Sequence, residues 1–247
     1  MLRRIVVLIA LCVLVVTVNA DNSDFEIDLE TGMVLSGYND IRVPNDGGSD
    51  FSLSDNLDTD MGISYRFKFT YIYKKWHSFS ALFAPLKLKS NGQFDSEVDF
   101  DDETFAANQD IDAEYKLNSY RLTYRFNFPE FWDFKVGLGL TAKLRDLKIT
   151  LEDASQKSEE SNFGFVPLIN FYIERKLTDK TAIVIDGDAL TSSLGRAEDI
   201  MLAFKYRPFF FGNLRLGYRL FDSGLDIDDL YNSSMQHHFL IGATVYF

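Results

Sequence analysis

Residues 61–73 read MGISYRFKFTYIY, thirteen residues that alternate without a break. Met61, Ile63, Tyr65, Phe67, Phe69, Tyr71 and Tyr73 lie on one face. Gly62, Ser64, Arg66, Lys68, Thr70 and Ile72 lie on the other. A period of two is the mark of a β-strand with unlike environments on its two sides. The length carries more information than the alternation. Strands of water-soluble sheets usually run about five or six residues, whereas a tilted strand that crosses a bilayer needs about nine to eleven.

The same pattern recurs outward from this stretch. Residues 117–128 set Tyr120, Leu122, Tyr124 and Phe126 against Ser119, Arg121, Thr123 and Arg125. Residues 134–144 set Leu138, Leu140 and Leu144 against Lys135, Thr141 and Lys143. Ten segments follow this rule, at about 24–37, 61–73, 78–89, 117–128, 134–150, 163–175, 181–190, 199–207, 214–221 and 236–247. The expected fold is all-β, an antiparallel up-and-down transmembrane barrel of about ten strands, with eight or twelve as the other even counts. Two segments lose phase, one at Pro85 and one between Leu144 and Leu147, and β-bulges would explain both.

The connections alternate in length. Residues 74–77, 129–133, 176–180 and 208–213 are short; residues 38–60, 90–116, 152–161 and 222–235 are long and rich in Asp and Glu. Short turns on one side and long loops on the other suit a membrane barrel. No linker divides the chain, so residues 21–247 form one expected domain. Residues 1–20, MLRRIVVLIALCVLVVTVNA, carry Arg3 and Arg4, an apolar run, and small residues before the end. That is the pattern of a cleaved export signal, and the run is short for a membrane helix. Cys12, the single cysteine, falls inside it, so the exported chain offers no disulfide, thiolate site or cysteine nucleophile. Without Arg3 and Arg4 there remain 23 basic residues against 37 acidic ones, a net charge of −14. Non-specific binding to nucleic acid is excluded on that balance.

Alternation also fits a secreted soluble β-protein with its apolar face inside, so further features must discriminate. Tyr73, Trp76, Phe131, Trp132, Phe209, Phe210 and Phe211 cluster at the short turns, where an interfacial aromatic girdle belongs. The polar face mixes Gly, Ser and Thr with Arg and Lys, as a lumen does. The chain ends in LIGATVYF, with Gly242, Val245 and the terminal Phe247. This ending resembles the C-terminal assembly signal of bacterial outer-membrane β-barrels, with Leu240 departing from the polar residue usual there. The resemblance implies residence in the outer membrane of a Gram-negative bacterium. It also implies contact with outer-membrane lipid and lipopolysaccharide, and passage through periplasmic chaperones and the barrel assembly machinery. It singles out no member of the superfamily and leaves the extracellular ligand open.

Candidate chemistry lies mainly in the lumen. Glu26, Asp28 and Glu30 face inward on the first strand and are expected to pair with Arg66 and Lys68 on the second. Arg121, Arg125, Lys143, Asp186, Asp188, Arg215 and Arg219 complete an expected inward network. Such charges either fill a narrow barrel or line a porin-like path for small solutes. A membrane-embedded hydrolase would need a rim cluster, for which Asp186, Asp188 and His238 are the candidates. The omptin proteases, barrels of similar size, place aspartates and a histidine at the outer rim. Their Asp-x-His pair is absent here, since Asp188 stands two residues after Asp186. Ser233, Ser234 and His237 offer the residue types of a lipid-deacylating pair. Asp99, Asp101 and Glu103 have the spacing of calcium ligands, but Thr104 and Asp110 break the EF-hand pattern. No metal or cofactor is expected. The leading expectation is a non-enzymatic barrel that serves membrane integrity, surface binding or minor solute passage.

Overall fold

The computed structural model describes residues 25–192 and 195–247. The proposed export signal lies outside the described residues. Ten long strands follow one another: β1 (Phe25–Arg42), β2 (Gly62–Tyr73), β3 (His77–Gln93), β4 (Asp110–Asn127), β5 (Phe134–Glu152), β6 (Lys157–Lys176), β7 (Thr181–Ser192), β8 (Gly195–Phe209), β9 (Gly212–Ile227) and β10 (Leu230–Tyr246). Each pairs antiparallel with the next, and β10 closes on β1 from Glu26↔Tyr246 to Arg42↔Tyr231. Closure leaves no open edge, the one way a sheet can lie in lipid with its backbone satisfied.

The outward apolar face is a belt. Leu122, Leu140, Phe163, Phe165, Leu202, Leu216 and Ile241 are each more than half exposed. In water that much apolar surface would be a severe liability; in hydrocarbon it is the expected solvent-facing side. The aromatic residues Tyr73, Trp76, Phe131, Trp132, Phe209, Phe210 and Phe211 all sit at the short-turn end. Trp76 stacks on Phe126, and Phe209 on Phe211. At the first of these turns, three residues between the register partners Tyr73 and His77, Lys74 and Lys75 both have positive φ, 51° and 65°, and the Trp76 amide donates to the Tyr73 carbonyl.

The strands are longer than the sequence segments, and the reason is a change of environment along each strand. On β4 the odd positions face inward throughout. Near the turn end these are Arg125, Thr123, Arg121 and Ser119; toward the loop end they are Leu117, Tyr115, Ala113 and Ile111. The outward positions change in the opposite sense, from Phe126, Tyr124, Leu122 and Tyr120 to Asn118, Lys116, Glu114 and Asp112. Outside, lipid gives way to water; inside, a charged lumen gives way to an apolar core. The expected bulge between Leu144 and Leu147 is therefore not there; at Pro85 the inward–outward phase holds, although the β2–β3 ladder stops at Phe67↔Phe83 and resumes one residue out of step at Thr59↔Ser90. Leu144, Arg145, Asp146 and Leu147 pair in unbroken register with Tyr120, Ser119, Asn118 and Leu117, and Pro85 keeps register with Asn118. Apolar residues move to the inner face without a shift of phase. Further register shifts fall at Ser36/Tyr38 and Tyr206/Phe209.

The same inversion shortens two expected loops. Residues 222–235 are mostly strand, pairing from Asp222↔Met235 to Ile227↔Leu230 around a turn at Asp228 and Asp229. Residues 152–161 close at Asp153, whose carboxylate accepts from the Ser155 and Gln156 amides and the Ser155 hydroxyl. Those bonds, led by the Ser155 amide, hold the Asp153 carboxyl below its usual range. The longer connections fold over the mouth of the barrel. Phe51–Ser52 adds to β1, Asp58–Thr59 to β3, and Val98–Phe100 pairs with Glu103–Phe105. Phe51, Leu53, Leu57, Phe94, Phe100 and Phe105 thereby bury against Ile111, Tyr115, Ile149, Leu151 and Leu230. Each such fully buried side chain contributes about 1.5–3 kcal/mol.

Candidate functional site

Between this apolar plug and the short-turn end the lumen is charged. Inward positions of β1, β2, β4, β7, β8 and β9 bring Asp28, Glu30, Arg66, Lys68, Arg121, Arg125, Asp186, Asp188, Asp199, Arg215 and Arg219 around a cavity of about 50 Å³. That volume holds a few water molecules.

Asp199 is the centre of this waist. Its carboxylate stands 3.0 Å from Arg66, 2.5 Å from Arg219 and 2.6 Å from Arg121. Arg219 also donates to both oxygens of Glu30 at 3.0 Å, the bidentate geometry a guanidinium fork favours. Arg121 continues to Asp188 at 2.7 Å, and Asp188 accepts further bonds from Thr141 at 2.7 Å and Asn170 at 2.9 Å. Lys68 reaches Asp186 at 3.1 Å, and Arg125 approaches it at 3.4 Å. Arg215 binds Asp28, which also accepts from Thr244.

The pairing differs from the strand-neighbour scheme expected from sequence. Glu30 lies 3.6 Å from Arg66, but its closer partner is Arg219 of β9; Asp28 is held by Arg215, also of β9. Lys68 crosses to β7. Glu26 stands lower, beside the vestibule described below. Neighbouring inward side chains run side by side, whereas a ten-stranded lumen is narrow enough for charged tips to meet across it. Gly242 takes part in this rerouting. A Cβ there would lie 2.7 Å from Arg215 Nη2, so the glycine leaves the path by which Arg215 crosses β10 to Asp28. Val245 pairs with Ile27 on β1, and Phe247 exchanges backbone hydrogen bonds with Phe25.

Lys143 is the exception. It is buried, sits 4.7 Å over the Phe221 ring, and has no ion pair among the described residues. Asp199 is absent from the inward network expected from sequence, where residue 199 only opens the segment 199–207. Its signal was the alternation Ala197, Asp199, Met201, Ala203, Lys205, in phase with the inward Lys205.

Below the waist the lumen widens into a vestibule of about 680 Å³ that opens at the short-turn end. Lys75, Lys135, Glu174, Lys205, Arg207 and Tyr246 are among its lining residues. Glu174 binds Lys205 and the Tyr172 hydroxyl, both at 2.5 Å.

The expected rim cluster is not at a rim. Asp186 and Asp188 face the lumen at the waist, committed to Lys68, Arg125 and Arg121. His238 is buried on β10, with Nδ1 3.2 Å from the Ser64 hydroxyl and Nε2 without a hydrogen-bond partner. The reason is the same length effect: β7 and β10 continue beyond these positions, so residues placed near a loop by sequence lie well inside the barrel. Ser234 is buried against Tyr115, Ser233 faces outward beside Arg196, and His237 bonds the Tyr218 hydroxyl outside. No Ser–His pair forms among these three. Among the described residues no group of three His, Asp or Glu side chains is placed to hold a metal ion.

The closed meander, outward belt and charged lumen define the bacterial outer-membrane β-barrel fold. The outer-membrane protease OmpT from Escherichia coli is similar over 94% of this chain and 99% of its own, with a TM-score of 0.62 at 10% identity. The translocator domain of the autotransporter NalP from Neisseria meningitidis aligns over 92% and 90%, with a TM-score of 0.47 at 11% identity. The attachment invasion locus protein Ail of Yersinia pestis, solved with the heparin analogue sucrose octasulfate, aligns over 91% and 99%, with a TM-score of 0.43 at 12% identity. The fold assignment rests on the first of these, and at such identity the likeness concerns fold alone. No protein-family model matches the chain, and no curated protein does.

Proposed function

We propose that this chain is exported by a signal cleaved after residue 20 and resides in the outer membrane of a Gram-negative bacterium. There it serves as an occluded, non-enzymatic barrel that acts through its outer surface. Occlusion is the observation that carries the proposal. A solute entering the vestibule meets the Asp199–arginine waist and then a buried apolar core that includes Phe100, Phe105 and Ile149. A non-enzymatic role is supported by the state of the candidate acids, which are consumed in ion pairs away from His238. The surface left for work is the loop end. Residues 43–61 hold five acidic side chains and no basic one, and residues 94–109 hold six and none.

Lipid and lipopolysaccharide are the partners of the belt. Periplasmic chaperones and the assembly machinery are its partners in biogenesis, with Gly242, Val245 and Phe247 as the residues the machinery reads. Purified protein in a planar bilayer tests the occluded state: the expected trace is silent at physiological voltages. Steady unitary conductance in unmodified protein would return the porin-like channel as the better description.

A further inference from the structure

The outward faces of β3, β4 and β5 place three lysines abreast. Lys87 is the register partner of Lys116, and Lys116 is the partner of Lys148. Like charges directly opposite one another on a sheet are destabilising, and this row stands in a chain of net charge −12. Each lysine lies two residues beyond Pro85, Asn118 or Asp146, and four beyond Phe83, Tyr120 or Leu144. Two residues are about 7 Å along a strand, so the row begins just past the lipid belt. Phe163 and Phe165 flank it on β6, 67% and 64% exposed. On the far flank, at β8 and β9, the register partners near the same border are Glu198 and Asp222. Lys87 lies 2.5 Å from Glu114, and Lys148 contacts Glu159. Lys116 has no ion pair among the described residues.

We propose that this row binds the phosphorylated saccharide headgroup of an outer-leaflet glycolipid. The inference rests on the membrane residence and orientation proposed above. Three cations abreast suit an anion bearing more than one charge, which a phosphorylated glycolipid supplies and phosphatidylglycerol does not. Ser161, the row's next member on β6, offers a hydrogen bond to a sugar hydroxyl. Acyl chains of the same lipid would lie on Phe83, Tyr120, Leu144 and Phe165.

The test uses the full exported chain in detergent micelles, titrated with diphosphorylated lipid A. The readout is the temperature at which the compact, heat-sensitive gel band is lost. Changing Lys87, Lys116 and Lys148 together to Gln should weaken the lipid effect about tenfold, counting roughly 1 kcal/mol per surface lysine and discounting the two already paired. Arg196→Gln, on the far flank, should leave it unchanged. Dephosphorylated lipid A should act on the parent as weakly as intact lipid A acts on the triple variant. If the triple variant shows no compact band, Lys116→Gln carries the test, with an expected weakening of about threefold to fivefold. Equal binding by the parent and the folded variants, or equal protection by phosphatidylglycerol, overturns the proposal. Fractionation keeps the two readings apart. A chain missing from outer membranes refutes the residence reading, whereas a chain present there with undiminished lipid binding refutes the lysine row alone.

Discussion

Changing Asp199 to Asn should remove the centre of the lumen while keeping its volume. The parent waist is lined by six basic side chains, Arg66, Lys68, Arg121, Arg125, Arg215 and Arg219, and five acidic ones. The substitution leaves four acids. Arg66, Arg121 and Arg219 then share Glu30 and Asp188, and Arg66 suffers most, since its remaining carboxylate is Glu30 at 3.6 Å. Asp199 is only 2% exposed, so solvent does little to soften the loss. Removing one partner of such a buried pair costs about 3–5 kcal/mol. The double change Asp199→Asn with Arg66→Met takes out the stranded cation and should recover about half of that cost, roughly 1.5–2.5 kcal/mol relative to the single Asp199→Asn variant, so the coupling is at least that large once the cost of Arg66→Met alone is subtracted. Equilibrium urea unfolding in micelles measures both, followed by the fluorescence of Trp76 and Trp132 at the short turns. A loss below about 1 kcal/mol in the single variant, or strict additivity in the double, would refute the assignment of Asp199 as the hub.

Three further outcomes follow from the same geometry. Lys143→Met should stabilise the barrel by about 1 kcal/mol or more in the same unfolding assay, because a buried cation without a carboxylate is replaced by a thioether of similar volume. Gly139→Ala should sharply reduce the yield of compact barrel in refolding trials, since its Cβ would stand 2.0 Å from the Tyr124 carbonyl oxygen and 2.7 Å from Arg125 Cα. Asp153→Ala should speed amide exchange at Gln156 without lowering global stability. Acidification should do the same to the parent: the folded-state pKa is depressed, so the turn's stabilisation is present above the usual carboxylate range and lost as pH falls through the depressed value.

Much of the membrane-embedded half was legible in the sequence. There a strand has lipid on one side and charge on the other, so alternation reports the face directly, as in residues 61–73. The loop-end half was misread because the rule inverts there. Leu147, Ile149 and Leu151 looked like a phase slip, yet they continue the inward parity of Thr141, Lys143 and Arg145. Asp222 and Asp226 looked like loop acids, yet they are outward strand positions above the belt. A sequence shows which residues share a face but not what each face meets, and both faces change partner at Asn118 and Asp146. The cross-lumen pairing was out of reach for a related reason. Register couples adjacent strands, but the approach of Lys68 to Asp186 depends on the girth of the closed barrel.

That inversion is the account's central claim, and β4 reports it within one strand. The single cysteine, Cys12, lies in the proposed export segment, so in the exported chain that proposal gives, cysteines placed one at a time from residue 112 to residue 126 can carry a nitroxide label without background. Accessibility to oxygen, which concentrates in hydrocarbon, and to a water-soluble nickel chelate is then measured in liposomes. Even positions from 120 to 126 should respond to oxygen, even positions from 112 to 116 to the chelate, and position 118 should mark the crossover. Odd positions from 113 to 123 should respond weakly to both, whereas position 125, on the wall of the open vestibule, should respond to the chelate. Chelate access at even positions from 120 to 126, or oxygen access at odd positions beyond 118, would contradict a continuous strand whose two faces exchange environments at Asn118.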